Sequence, residues 1–343
     1  MNFHFYFAVA GHNLTVVEVD AEYTEPYPTN VVVLAPGQTT NVLLTANNSV
    51  GRYYMALSVY SPANPVPVPY PNIAATAILP YENASADSFA PILPSFPAVN
   101  DTDFVFNFFA SLRGQYYSRG YYYYKIPQTV DIDLLHTVGY SLQPCPSGRT
   151  CQGPNSTLIR ANINNITFVT PQVSILQDYY EGRNDNVYTT DFPDVPLFQY
   201  NYTGVNPVNK VGLPGTRVRV IPFNSTVQVV YQDTETLFFE SHPIHLHGQN
   251  FYIVGMGIGT FNASRDTPSF NLINPVSRNT VSVPYGGWAA VRFQAVNPGV
   301  WFVHCHFDIH ASWGMDMAFI TLNGVGASQS LPAPPPDFPS CSA

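Results

Sequence analysis

Six of the nine histidines fall in two short stretches, His242-Pro243-Ile244-His245-Leu246-His247 and His304-Cys305-His306-Phe307-Asp308-Ile309-His310. Imidazole and thiolate are the groups with which a protein binds soft and borderline transition metals. The second stretch follows Val300-Trp301-Phe302-Val303, which reads as a buried strand. Side chains alternate along a strand, so His304 and His306 should point one way and Cys305 the other. One strand would then feed two metal sites. Five residues on comes His310, and five more bring Met315. A thiolate, two imidazoles and a weak axial thioether make a blue-copper electron-transfer site, and Cys305, His310 and Met315 supply three of the four. The first stretch can supply the rest. His245 and His247 share a face, while His242, before a proline expected to redirect the chain, can complete the mononuclear site. His245, His247, His304 and His306 then form an all-imidazole site of the kind that suits oxygen-binding copper. A closed zinc site would gather four ligands in one tetrahedron instead. His4, His12 and His136 are scattered and read as ordinary surface or core residues.

The elements that must position these groups look like strands. Helical periodicity is scarce, and short apolar runs bounded by Gly, Pro and Asn recur, as in Asn13–Val19, Val31–Leu34, Thr216–Val220 and Val291–Phe293. That pattern predicts antiparallel β-sandwiches. Residues 1–85 read as one all-β unit and residues 126–343 as a second. Between them, residues 86–125 read as an irregular, Pro- and aromatic-rich linker on the protein surface. Its tyrosines 121–124 read as packing against a domain or, alternatively, as a substrate-facing surface. The chain ends in an extended Pro-rich tail.

Composition narrows the partners. With 45% apolar and 10% charged residues, the 343-residue chain is no disordered segment. A net charge of −9 makes nucleic acid and anionic membranes poor partners, and no apolar run is long enough to span a bilayer. Asn-x-Ser/Thr occurs at Asn13, Asn47, Asn83, Asn100, Asn155, Asn165, Asn201, Asn224 and Asn262, which points to a glycosylated, secreted chain. Yet the segment after Met1 has neither the basic region nor the cleavage site of a signal peptide. Cys145 and Cys151 are close enough in sequence for a local disulfide. Cys341 has no evident partner.

The two histidine stretches resemble the third and fourth copper signatures of multicopper oxidases, and specifically of plant laccases. Ala10-Gly11-His12-Asn13-Leu14-Thr15-Val16-Val17-Glu18-Val19-Asp20-Ala21 and Ala35-Pro36-Gly37-Gln38-Thr39-Thr40 resemble the family's middle domain, and the Pro-rich tail resembles that of plant laccases. The resemblance covers essentially the whole chain. It implies an all-β fold of two cupredoxin-like Greek-key sandwiches, the first truncated at its N-terminus. It makes His242, Cys305 and His310 ligands of a type 1 copper, with Met315 axial. It assigns His245 to the type 2 copper, and His247, His304 and His306 to the type 3 pair. The implied reaction is oxidation of phenols such as monolignols, with four-electron reduction of O2 to water, in the apoplast. Electrons would enter through an exposed edge of His242 or His310 and leave through Cys305 to His304 and His306. The family's cluster takes eight histidines and this chain offers four, so a first domain is expected to supply the others and to bond to Cys341. Two other readings stay open. One is a copper-binding or electron-transfer remnant without turnover. The other is an ascorbate oxidase, which Met315 favours because many plant laccases carry leucine there.

Overall fold

The structure, a computed structural model, describes residues 2–62, 74–85, 92–115, 126–151, 153–182, 187–204, 209–234, 240–339 and 341. Two pairs of packed sheets dominate it. In the first pair, His4–Val9 lies between Val32–Leu34 and Arg52–Tyr60, with Ala75–Pro80 beyond. Facing it, Leu14–Val19 lies between Glu22–Thr29 and Thr40–Leu44. Alternate residues of these strands, among them Tyr6, Ala8, Leu14 and Val16, fill the space between the sheets, as period-two patterning requires.

The second pair is larger. One sheet runs Leu213–Gly215, Ile166–Phe168, Leu158–Ile163, Ile132–Gln143, Thr226–Asp233, Gly287–Gln294, Phe251–Ile258, Val276–Arg278. The other runs Val218–Ile221, Asp316–Thr321, Gly299–Cys305, His242–Leu246, Thr280–Val283. A core of Leu134, Val138, Val229, Ile244, Val291, Val303, Met317 and Phe319 joins them. The strands around Asn13–Val19, Val31–Leu34 and Val291–Phe293 thus form where the alternation places them. No helix of the described residues is long and apolar enough to cross a membrane.

Two expectations change. The 86–125 stretch contains the helix Thr102–Ser111, whose N-terminus is capped by the Asp101 side chain accepting from Phe104 N at 2.9 Å. Its buried Val105, Phe108 and Phe109 enter the first core. The helix is therefore regular and packs into the first core, where the sequence reads as irregular. Tyrosines 121–124 lie outside the described residues. Among the glycosylation sequences, Asn165 is buried and its Oδ1 accepts from Phe198 N at 3.3 Å, so a glycan there would break the fold. Asn13, Asn47, Asn83, Asn155, Asn201, Asn224 and Asn262 are exposed. Cys145 and Cys151 are joined in a disulfide, with Cα atoms 5.8 Å apart.

The three scattered histidines are packing residues. His4 Nε2 lies 2.8 Å from Ser282 Oγ, and His12 bridges Ala10 O and Tyr81 Oη. His136 is fully buried among Phe192, Tyr231 and Phe319, and neither ring nitrogen has a hydrogen-bond partner among the described residues. Burial, with the Arg219 charge adding to it, pushes its pKa down to about 3. The unfolded chain therefore binds this proton from about pH 6.5 downward while the folded chain does not. Stability is whole above that pH and is lost as pH falls toward the folded value. His136→Phe should flatten the acid limb of the stability curve by up to about 1.4 kcal/mol per pH unit between pH 6 and 4. Denaturant titrations across that range measure it, and parallel curves for the two proteins would refute it.

Candidate metal centre

One strand pair builds both candidate sites. Strand His242–Leu246 runs antiparallel to Gly299–Cys305 with Ile244 opposite Cys305 and His245 opposite His304. His242, Ile244 and Leu246 face the sandwich interior, whereas His245 faces outward. Alternation alone separates His242 from His245. Pro243 does not redirect the chain; it stays in the strand, paired with Ser282.

On the inner face, Cys305 Sγ lies 3.4 Å from His310 Nδ1 and 3.9 Å from His242 Nδ1. A first-row metal with bonds of about 2.0 Å to nitrogen and about 2.3 Å to sulfur would hold such atoms about 3.5–3.7 Å apart. The donors are thus spaced for one ion. Cys305, His242, His310 and Met315 are each at most 1% exposed. His310 rides on the helix Asp308–Trp313, which Gly314 ends in a left-handed conformation (φ 104°). That turn brings Met315 back, its N donating to His310 O at 3.0 Å and its O accepting from Cys305 N at 3.1 Å. Burial raises the Cys305 thiol well above its ordinary pKa, so a metal must displace its proton. Burial lowers that of His310, against the opposing pull of Glu240, and keeps the imidazole neutral and able to ligate.

Around these groups stand residues that the sequence did not single out. Tyr140 Oη donates to Glu240 Oε2 at 2.6 Å and sits 2.8 Å from His310 Nε2, which is 3.0 Å from the same carboxylate. His310 Nε2–H therefore points at this pair, which leaves Nδ1 free to face Cys305. An Asp233 oxygen lies 3.5 Å from His242 Nε2. Glu240 could have been suspected from its place two residues before His242; Tyr140 and Asp233 carry no local signal. The expected exposed histidine edge is absent. Tyr140, itself 3% exposed, covers His310, and Glu240 is the half-exposed group at that end.

On the outer face, His245, His247 and His304 bring one nitrogen each within 4.8 Å of one another. His304 Nδ1 faces Cys305 O at 3.0 Å, and His245 Nδ1 faces Asn279 O at 3.0 Å and Thr280 Oγ1 at 2.9 Å. Their Nε2 atoms are left for a ligand. His247 Nε2 and His304 Nε2 are 3.2 Å apart, close to the spacing of about 3.3 Å for two nitrogens on one tetrahedral ion. His306 joins by ring contact, 5.3 Å from His304 and 5.7 Å from His245 between centroids, but its ligand atom falls outside the 4.8 Å group. Burial, reinforced by neighbouring imidazoles, lowers His304 to about 4 despite its bond to Cys305 O, and lowers His245 and His247 as well. Neutral imidazoles gathered this way are a ligand set in want of a cation. His247 is exposed and the other three are half-buried.

Comparison with known proteins agrees with this geometry. Multicopper oxidase family models match residues 169–325 and 1–84. The chain belongs to the multicopper oxidase family, which binds copper. Within that family its similarity is to plant laccases. It is 47% identical to laccase-4 of Oryza sativa subsp. japonica and 47% identical to laccase-3 of Arabidopsis thaliana, in each case over 99% of this chain and 60% of the relative. The chain thus spans about three fifths of the length of these curated relatives. Among solved structures, Fet3p, a multicopper oxidase that functions in iron import, matches 93% of this chain and 53% of its own with a TM-score of 0.66 at 21% identity. The laccase of Botrytis aclada matches 93% and 49%, with a TM-score of 0.63 at 22% identity. These two likenesses establish the fold alone, an all-β cupredoxin architecture.

Tyr140→Phe should leave the fold intact, since only the hydroxyl is lost. Without it the His310 tautomer is held by Glu240 alone, and copper affinity at the Cys305 group should fall about tenfold or more. Copper titration followed at the thiolate absorption band measures it, and unchanged affinity would show that Tyr140 is packing only.

Proposed function

We propose that this chain serves laccase-type oxidation of phenolic substrates, monolignols and related lignin precursors, coupled to reduction of O2 to water. The single observation that supports this best is the strand pair that sets Cys305 on one face and His245 and His304 on the other. His242, Cys305 and His310, with Met315 beside them, would hold one copper. His245 contributes to a type 2 site, and His247, His304 and His306 to a type 3 pair. Copper bound at these residues would supply one-electron redox chemistry for oxidising a phenol and reducing oxygen.

The chain's own residues do the rest. Glu240 is burdened by burial, yet hydrogen bonds from His310 and Tyr140 outweigh that and hold its carboxyl below the usual range. It is therefore ionised at neutral pH, half-exposed, and able to accept the hydroxyl hydrogen of a docked phenol. Tyr140 keeps water from His310. Cys305 provides the covalent link between faces, since His304 is its chain neighbour and bonds to its carbonyl. We propose the domain limits 1–85 and 126–343, and a further cupredoxin domain that docks on the outer histidine face. Cys341, free and exposed, would pair with that domain. The exposed glycosylation sequences and the disulfide support secretion into the apoplast.

Copper-loaded chain should show the strong visible absorption of a thiolate-bound copper, and Cys305→Ser should abolish it. Met315→Leu should keep the colour and raise the redox potential, because the axial ligand tunes it; a potential that stays put or falls would remove Met315 from the ligand set.

A second reading, a copper-binding chain without turnover, is favoured by the ligand count at the outer face. All nine histidines are described, and only four gather there. Four imidazoles cannot close the coordination of three coppers. The chain by itself should therefore show no sustained oxygen uptake with a phenolic substrate. Uptake with about three or four coppers bound, as an intact multicopper site needs, would overturn the ligand assignment.

A further inference from the structure

We propose that the turn Ala35–Gln38 of the first sandwich is a positioning element for the outer imidazole cluster of the second, acting through Gly37 and Thr280. It rests on the reading of that cluster as a copper site. Gly37 adopts φ +83°, and a Cβ built there would lie 2.4 Å from His306 Cδ2, 2.9 Å from its Cγ and 3.0 Å from Thr280 Oγ1. The Cδ2 side of the imidazole thus closely approaches a residue that has no side chain. Any other residue would have to push the ring by about 1 Å to reach ordinary contact.

The same turn reaches His245. Thr280 Oγ1 donates its single hydrogen to Gly37 O at 3.0 Å or to Asn279 Oδ1 at 2.9 Å. With that hydrogen committed, the hydroxyl accepts from His245 Nδ1 at 2.9 Å, beside the Asn279 carbonyl. Both contacts keep the hydrogen on Nδ1 and the Nε2 lone pair toward the cluster. Thr280 stands directly opposite His245 in the neighbouring strand.

Two further contacts lock the turn to that strand. Gln38 accepts from Ala35 N through Oε1 at 3.1 Å and donates from Nε2 to Thr280 O at 3.0 Å. Asp20 accepts from Arg278 Nε at 3.0 Å and Nη2 at 3.1 Å, from Thr39 N at 2.8 Å and from Asn279 N at 3.2 Å. Both charged side chains are 1% exposed. A metal ligand must be held within about 0.5 Å of its working position. The first sandwich, which carries no copper ligand, meets that demand for two of the second's.

The test uses the full chain titrated with Cu(II) alone, with the Cys305 group read by its visible band and the outer cluster by its electron paramagnetic resonance signal. Gly37→Ala should leave the visible band unchanged and weaken Cu(II) binding at the outer cluster about tenfold or more. Backbone strain at Gly37 is a separate cost, so the same change is made in a His306→Ala background. There the ring is gone, the strain remains, and Gly37→Ala should have no further effect on the cluster. Persistence of the loss in that background, or cluster affinity within about twofold of the parent, would overturn the proposal. Should Gly37→Ala not fold, nitrogen-15 NMR of His245 decides. Thr280→Val, which leaves only the Asn279 carbonyl as acceptor, should raise the share of the Nε2–H tautomer and Thr280→Ser should restore the parent share, whereas an unchanged share in Thr280→Val would overturn the proposal. If the parent cluster takes up no Cu(II), the copper reading of that face fails, while the NMR outcome still judges the positioning.

Discussion

The register of two strands carries the whole arrangement. Ile244 pairs with Cys305 and His245 with His304, so one sheet presents a thiol to a dry interior and imidazoles to its outer surface. Because the side-chain period is two, a slip of one residue would exchange the faces and bury His245 where Ile244 now packs. Ile244, Leu246, Val303 and Cys305 belong to one continuous core with Val281, Val283 and Met317. Apolar burial is worth roughly 1.5–3 kcal/mol per large side chain, so the core forbids that slip. The chemistry is thereby pinned by packing rather than by the ligands themselves.

Burial then shifts the protonation of five groups in the site, in the direction a metal needs for the imidazoles and against it for the thiol. It lowers His304, His245, His247 and His310, so imidazoles wait neutral. It raises Cys305, so the thiolate exists only when a cation repays the desolvation. The same burial raises Asp316, opposite His304 in the next strand, to about 8, and its Oδ1 has no hydrogen-bond partner among the described residues. A protonated carboxyl there adds no charge beside the imidazoles. Glu240 is the exception, since His310 and Tyr140 supply enough hydrogen bonding to keep it ionised while half-buried. The inner site thus has one fixed anion at its surface end and a dry ligand set beneath.

Much of this was legible in the sequence, for a physical reason. The spacing of His242, His245, His247, His304, Cys305, His306 and His310 encodes alternation, and alternation is local. The all-β fold was legible likewise from short runs such as Asn13–Val19 and Val291–Phe293. What escaped depends on contacts distant in the chain. Tyr140 meets His310 from 170 residues away, and nothing in the strand around Tyr140 marks it. Pro243 reads as a break, yet the strand tolerates it. The helix Thr102–Ser111 had a capping Asp101 and apolar residues at helical spacing, but neighbouring prolines and aromatics drowned that pattern. Asn165 satisfies the glycosylation sequence while its side chain is spent on a backbone contact, and no sequence rule sees that.

The same distinction explains why the two sandwiches cannot be treated as a ligand domain and a passive neighbour. Their joint includes an Arg278–Asp20 pair with almost no solvent access, and its carboxylate accepts four hydrogen bonds, two of them from backbone on either side of the joint. A buried ion pair contributes little net stability, because desolvation offsets most of the attraction. Its geometric demand is another matter. Each bond fixes a direction, and any sliding between the sandwiches would strand a charge in a low-dielectric interior. An apolar joint of similar size would tolerate such sliding. Here the segment from Arg278 to Thr280 is held, so the strand opposite His245 is held, and the imidazole hydrogen that selects the ligating nitrogen is held with it. Charge that adds little to how firmly the halves adhere instead decides where they adhere, and the outer face of the histidine sheet depends on that placement.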